Sequence, residues 1–189
     1  MKTSSVFSKW FKIVSTAVMS VVVCASAAAQ SRTNQLRIGV YDSRAVAIAF
    51  ANSKEFQEAL KPVLADYQKA KDEKNDQRMK EIEARMRLQQ RRLHEQGFST
   101  GSVAGTMAKV KDELPALAKK AGVQMIVSKW ELNYCSPDVE TVDVTEPVAA
   151  LFHPNENVTA NRKLKVSEVI KSLKNQPPLP IEDITDDLD

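Results

Sequence analysis

The sequence predicts an α+β fold: a small antiparallel-rich β-sheet body, a long helical, coiled-coil-like arm inserted between strands, and a flexible C-terminal tail. Three observations carry this reading. Leu36-Arg-Ile-Gly-Val-Tyr41 and Val123-Gln-Met-Ile-Val127 are short apolar, β-branched runs. Between them, residues 53–121 are rich in Lys, Arg, Glu and Gln and show only a narrow apolar stripe. Strands so far apart in sequence pair only if the helical part leaves the sheet and returns, an architecture suited to gripping a partner.

The first residues have the pattern of an export signal, with Lys2, Lys9 and Lys12 preceding the apolar stretch Ile13 to Val23, which is too short and wrongly flanked to span a membrane. The small-residue run Ala25-Ser-Ala-Ala-Ala-Gln30 offers cleavage sites, so residues 1–29 are expected to be a signal peptide and the mature chain periplasmic, with no membrane span of its own. Val23 before Cys24 argues against lipidation. Removing Lys2, Lys9 and Lys12 from the 27 bases leaves 24 against 24 acids, so global charge gives no support for nucleic-acid binding. Of the two cysteines, Cys24 lies in the signal, and Cys135 has no intramolecular partner.

Asn52-Ser53 can cap a helix whose apolar positions Phe56, Leu60, Val63, Tyr67 and Ala70 follow a 4-3-4-3 seam. Pro62 is tolerable near its start. The seam fades through Lys71 to Gln77 and resumes out of phase at Met79, Ile82, Met86 and Leu93. Gly97 to Gly105 holds three of the five glycines and reads as the tip of the arm. Val103, Met107, Val110, Leu114, Leu117 and Ala121 then restore the seam as a returning arm, with Pro115 interrupting it. The lengths do not match: a helix from Ser53 to Glu95 would span about 65 Å and one from Val103 to Ala121 about 28 Å. A break around Asn75-Asp76 would reconcile them.

Beyond Gly122, Ser128, Trp130, Leu132 and Tyr134 alternate with polar residues, Ser136-Pro-Asp138 signals a turn, and Val139 to Val144 reads as a returning strand, so a β-hairpin is expected. Trp130 and Tyr134 then share the buried face of that sheet. Thr145 can cap a short helix through Phe152, with Pro147 in its first turn. Residues 153–189 read as a polar extension, with a short helix at Ser167 to Lys174 and a Pro-rich, acidic end expected to be disordered or to fold only on a surface.

No catalytic machinery is legible. Cys135 and His153 lack any local nucleophile–base signature, and His94 lies in a charged helix beside Arg91 and Arg92. Two distant histidines and one cysteine give no metal-ligand spacing, and Gly97, Gly101 and Gly105 are not followed by a phosphate-binding Lys-Ser/Thr pair. Asn157-Val-Thr159 fits a glycosylation sequon, but the export signal looks equally bacterial, so the sequon carries no weight. No enzymatic activity, cofactor or metal is expected.

Several pieces taken together resemble the Skp/OmpH family of periplasmic chaperones. They are the export signal, Arg37-Ile-Gly-Val-Tyr-Asp42 followed by Phe50, the helical excursion, Ala121-Gly-Val-Gln-Met-Ile-Val127, Tyr134-Cys-Ser-Pro-Asp-Val139 and Val142-Asp-Val-Thr145 with Val148. The likeness covers 36–152 by order of elements, so residues 30–152 are read as the family-like domain. Residues 153–189 lie outside the family pattern. The resemblance implies a homotrimer whose subunits add strands to a shared β-body and extend helical tentacles around unfolded outer-membrane proteins, without ATP.

The arm offers candidate client-binding residues. Arg78, Lys80, Arg85, Arg87, Arg91 and Arg92 outnumber the acids Glu81 and Glu83 around them, and such a positive stretch attracts acidic or unfolded polypeptide through long-range electrostatics. Met79, Met86 and Met107 add the adaptable apolar side chains that promiscuous surfaces favour. The expected activity is therefore that of a holdase for unfolded exported or outer-membrane proteins. An envelope scaffold docking one folded partner is the alternative, and a cysteine-dependent enzyme a distant third.

Overall fold

β1, Arg37–Tyr41, is the middle strand of a three-stranded sheet of order β2-β1-β3, and both neighbours run parallel to it. β2 is Met125–Ser128, in register Ile38 with Met125, and β3 is Glu140–Asp143, in register Ile38 with Thr141. The computed structural model describes residues 35–156 and 165–185. The expected signal at 1–29, the sequon beginning at Asn157 and the acidic end 186–189 lie outside the described residues.

The antiparallel-rich body expected from the sequence is thus incorrect: the protein is mostly helical with a small all-parallel sheet. The error lies in residues 129–139, read as half of a hairpin. Parallel neighbours need a crossover instead of a tight turn, and this segment carries the chain from the C-terminal end of β2 to the N-terminal end of β3 on the far side of β1. Its alternating pattern has another cause. Trp130 Nε1 donates to Asp42 Oδ1 at 3.2 Å, the Lys129 ammonium lies 4.3 Å from the indole centroid, and Tyr134 is 78% exposed, so the two aromatics do not share a buried sheet face.

Gly39 lets β1 occupy the middle. A Cβ there would stand 3.1 Å from Val144 Cγ2, 3.2 Å from Val123 Cγ2 and 3.3 Å from Ile126 Cγ1, leaving no room for a side chain. Arg37 ties the edges together: Nε and Nη2 each donate to the Glu140 carboxylate at 2.9 Å, and Nη1 donates to Gly122 O at 2.9 Å.

Helix α1, Ser43–Ala51, follows β1 directly, capped by Asp42, whose Oδ1 accepts from Arg44 N at 3.0 Å. Its Ala45, Val46, Ala47 and Ala49 are buried in the core with Tyr41, Val144, Val148 and Phe152. α2, Lys54–Asp72, starts at the expected cap, with Ser53 Oγ accepting from Phe56 N at 3.1 Å, and it continues through Pro62.

The chain reverses at Glu73-Lys-Asn75. Asn75 N donates to Ala70 O and Lys74 N to Lys71 O, a Schellman closure in which Lys74 takes the left-handed position at φ 53°. Asn75 Oδ1 then caps α3, Asp76–Phe98, by accepting from Arg78 N. The phase slip in the seam is therefore a full turn, and the arm is a two-helix hairpin with legs of about 28 Å and 35 Å. Gly97 to Gly105 is not its tip. That segment lies at the base, with Gly97, Ser99 and Val103 buried.

The expected returning arm breaks into α4, Ala104–Met107, a 3-10 turn at Ala108–Val110 and α5, Leu114–Ala121, with Pro115 in the first turn of α5. Val103, Val110 and Leu117 belong to the core of the body. Gly122, at φ 66°, ends α5 in a second Schellman closure, with Val123 N donating to Ala118 O.

α6, Thr145–Ala150, starts after Val144, so Thr145 is its first residue and not the expected cap; Asp143 Oδ1 accepts from Thr145 N, and the Thr145 hydroxyl accepts from Asp42 N. α7, Val166–Ser172, and a 3-10 turn at Leu173–Asn175 form where a short helix was expected, but they are not a polar appendage. Val166, Ile170 and Leu173 are buried in the core. The chain then runs to α8, Glu182–Thr185, which packs on α3. No helix among the described residues is long and apolar enough to cross a membrane.

Candidate polypeptide-binding cleft

The hairpin is zipped at its far end and open at its base. Near the turn, Arg78 Nη2 reaches Asp66 Oδ2 at 2.6 Å, Tyr67 Oη donates to Glu83 Oε1 at 3.0 Å, and Ala70 and Ile82 are buried. The bond to the Glu83 carboxylate holds the Tyr67 phenol above its ordinary pKa. Toward the body the helices separate, because α3 packs on α1 while α2 touches α1 less extensively.

The resulting cleft has two lobes. The first, about 750 Å³, is lined by Phe50, Phe56, Val63, Ile82, Arg85, Met86 and Arg92 among others. The second, about 630 Å³, is lined by Ala47, Ile48, Leu60, His94, Phe98, Val166 and Val169 among others. Phe56, Met86, Gln89 and Leu93 separate the lobes and face both. The apolar seams of the two legs supply these walls, since half-buried side chains on two separated helices leave their inner faces incompletely covered. Phe50 braces the base edge-to-face, its ring centroid 5.4 Å from Phe56 and 6.0 Å from Phe152. Each lobe has room for a few apolar side chains.

The rim is positive. Asp66 borders the first lobe, but its carboxylate is engaged by Arg78, leaving Arg85 and Arg92 as the other charged groups that line it. Of the residues singled out in the sequence, Arg85, Met86 and Arg92 come together here. Arg78 and Met79 sit near the hairpin turn, Lys80, Arg87 and Arg91 are exposed away from both lobes, and Met107 packs against the core of the body. Sequence reasoning missed the floor and far wall, Ala47 and Ile48 of α1 and Val166 and Val169 of α7. The latter pair had a signal, because Val166, Val169, Ile170 and Leu173 carry helical i, i+3, i+4, i+7 spacing.

A buried charge network fixes the body under the cleft. The Asp42 carboxylate receives Arg44 Nε at 3.1 Å and Nη2 at 2.8 Å, Lys129 Nζ at 2.7 Å and Trp130 Nε1. Burial by itself would raise the pKa of Asp42. The hydrogen bonds and charges of Arg44 and Lys129 outweigh it and hold the group below the usual carboxylate range. Arg44 Nη2 also donates to Leu173 O and Gln176 O, so the network joins β1, α1, the 129–139 crossover and the C-terminal segment. Tyr41 beside it is pushed up to about 12 by burial and by the Glu131 charge.

No protein-family model matches the chain, and no curated protein or solved structure is detectably similar to it.

Proposed function

We propose that this protein is a non-catalytic, ATP-independent holdase of the bacterial periplasm that grips apolar stretches of unfolded exported polypeptides, outer-membrane proteins among them, between α2 and α3. The observation that carries the proposal is the cleft itself: Phe56, Leu60, Met86 and Leu93 line an open apolar space between two helices. Arg85 and Arg92 at the rim supply long-range attraction, and the apolar lobes supply retention once the chain has arrived. Methionine at the centre suits clients of varied shape. The likeness of the sequence to periplasmic chaperones favours the same reading, and we extend the proposal to the homotrimer implied by that likeness, since β2 and β3 are both edge strands among the described residues.

The test is suppression of aggregation of several unrelated denatured outer-membrane proteins at near-stoichiometric amounts, combined with the mass of the mature protein in solution. Suppression by the parent, and its loss in M86E/L93E with the fold intact by circular dichroism, are expected. Failure against every unfolded client would reject the reading, and specific retention of one folded partner would point to a scaffold. A monomeric mass would remove the trimer.

A further inference from the structure

The two walls of the second lobe are joined to each other by the chain itself. α7, which supplies Val166 and Val169, packs on α1 and α6, while α3, which supplies Leu93, His94 and Phe98, packs on α1 as well. From the 3-10 turn that ends at Asn175 the chain crosses to α3. Leu179 N donates to Phe98 O at 2.9 Å, and α8 then packs on α3 with Ile184 only 5% exposed.

The sequence of the crossing leaves it one donor. Pro177, Pro178 and Pro180 have no N–H, so Leu179 carries the only backbone donor of residues 177–180. Phe98 is the last residue of α3, and its carbonyl is one of those that a helix end leaves without an intrahelical partner. The prolines also restrict the undocked chain, which lowers the entropy lost when the crossing is fastened. Leu179 is itself 51% exposed, so the backbone N–H makes the attachment and the side chain adds little to it. The other end is anchored in the body. Arg44 Nη2 donates to Leu173 O at 3.1 Å and to Gln176 O at 2.8 Å, Lys174 Nζ lies 3.1 Å from Asp143 Oδ2, and Leu173 is buried.

We infer that residues 176–184 are a clasp that fixes the separation of α3 from α7 and so sets the opening of the second lobe. Its firm end is the body end, where Arg44 is held in a buried ion pair. Its releasing end is on α3, where one hydrogen bond and the seat of Ile184 hold it. Fastened, the clasp keeps the lobe at its present width; released, it lets the arm lean away from α7 and admit bulkier groups. The clasp goes beyond the holdase reading and does not rest on it, because it closes within one chain.

The experiment measures the distance between spin labels on R91C and K171C by double electron–electron resonance, in a chain with Cys24 and Cys135 replaced by Ser. Both positions are exposed, one on α3 and one on α7, and neither lines a lobe. The parent should give one narrow distance. L179P/I184E, which deletes the N–H and unseats α8, should give a longer and broader one with near-UV circular dichroism unchanged. L179A keeps the N–H and should match the parent. A parent-like distance in the folded double variant, or equal lengthening in L179A, would overturn the clasp. If the double variant fails to fold, L179P alone decides the matter by the same two outcomes. No client is present in these samples, so failure of the clasp and failure of the holdase proposal are separable.

Discussion

Asp42 and Arg44, two residues apart at the junction of β1 and α1, form a two-point ion pair from which water is excluded, with side chains 3% and 2% exposed. A buried pair of this kind is costly to break from one side: without Asp42 the Arg44 guanidinium keeps only the carbonyls of Leu173 and Gln176, whereas without Arg44 the Asp42 carboxylate keeps Lys129 and Trp130. Asp42→Asn should lower stability to urea by about 3–5 kcal/mol, and Arg44→Met by less, because Lys129 still neutralises Asp42. The double variant D42N/R44M should lose less than the sum of the two. The pH dependence follows from the depressed pKa of Asp42: its contribution is fully present above the unfolded-state value of about 3.9 and is lost as pH falls through the lower folded value. Acid unfolding of the D42N variant should therefore lack that component, which a urea series from pH 6 to 2 would resolve, pH values being roughly those that bracket carboxylate titration.

Ser43 Oγ, between these two residues, is buried without a hydrogen-bond partner. Removing an unsatisfied buried hydroxyl recovers its desolvation cost, so Ser43→Ala should stabilise the protein by about 1 kcal/mol in the same urea assay. A loss of similar size would mean that the hydroxyl has a partner in solution.

Gly39 predicts the opposite sign. With three side-chain carbons within 3.3 Å of its virtual Cβ, Gly39→Val overpacks the centre of the sheet and should cost about 1–3 kcal/mol or more. Amide exchange should then rise in β2 and β3 together, because both pair with β1.

Cys135, half-buried on the crossover, should be dispensable. Cys135→Ser is expected to keep the folding midpoint and client capture of the parent, and a large loss of capture would return a thiol-dependent activity to consideration.

The local signals in this sequence were readable where one residue type has one physical role. Ser53 caps α2, Gly122 ends α5, and the seam positions Phe56, Leu60, Val63, Tyr67 and Ala70 form the inner face of α2. The break near Asn75 was legible from helix lengths, although it proves to be a reversal in which Lys74 occupies the position usually given to glycine. Sheet topology was not legible. Period-two alternation at 128–134 arises because Trp130 turns inward to a carboxylate, a contact 88 positions distant in sequence that no local pattern encodes. α1 was hidden for a different reason: Ala-Val-Ala-Ile-Ala-Phe is apolar on all sides, so a buried helix there has no amphipathic period to detect. The cleft was half visible. The legs announce their apolar faces, but the floor and far wall come from α1 and α7, and only folding brings them under the arm.

The most direct measurement places a photo-crosslinking residue at Met86, facing both lobes, and in separate chains at Arg87, exposed on α3 and lining neither lobe, and at Tyr134 on the exposed crossover. Each is irradiated with a denatured outer-membrane protein diluted from urea. Strong crosslinks from position 86, weak ones from 87 and 134, and loss of the position 86 signal when Leu60 and Leu93 are changed to glutamate are the results expected of a cleft that holds unfolded chains. Equal crosslinking from all three positions, or none from position 86, would contradict it.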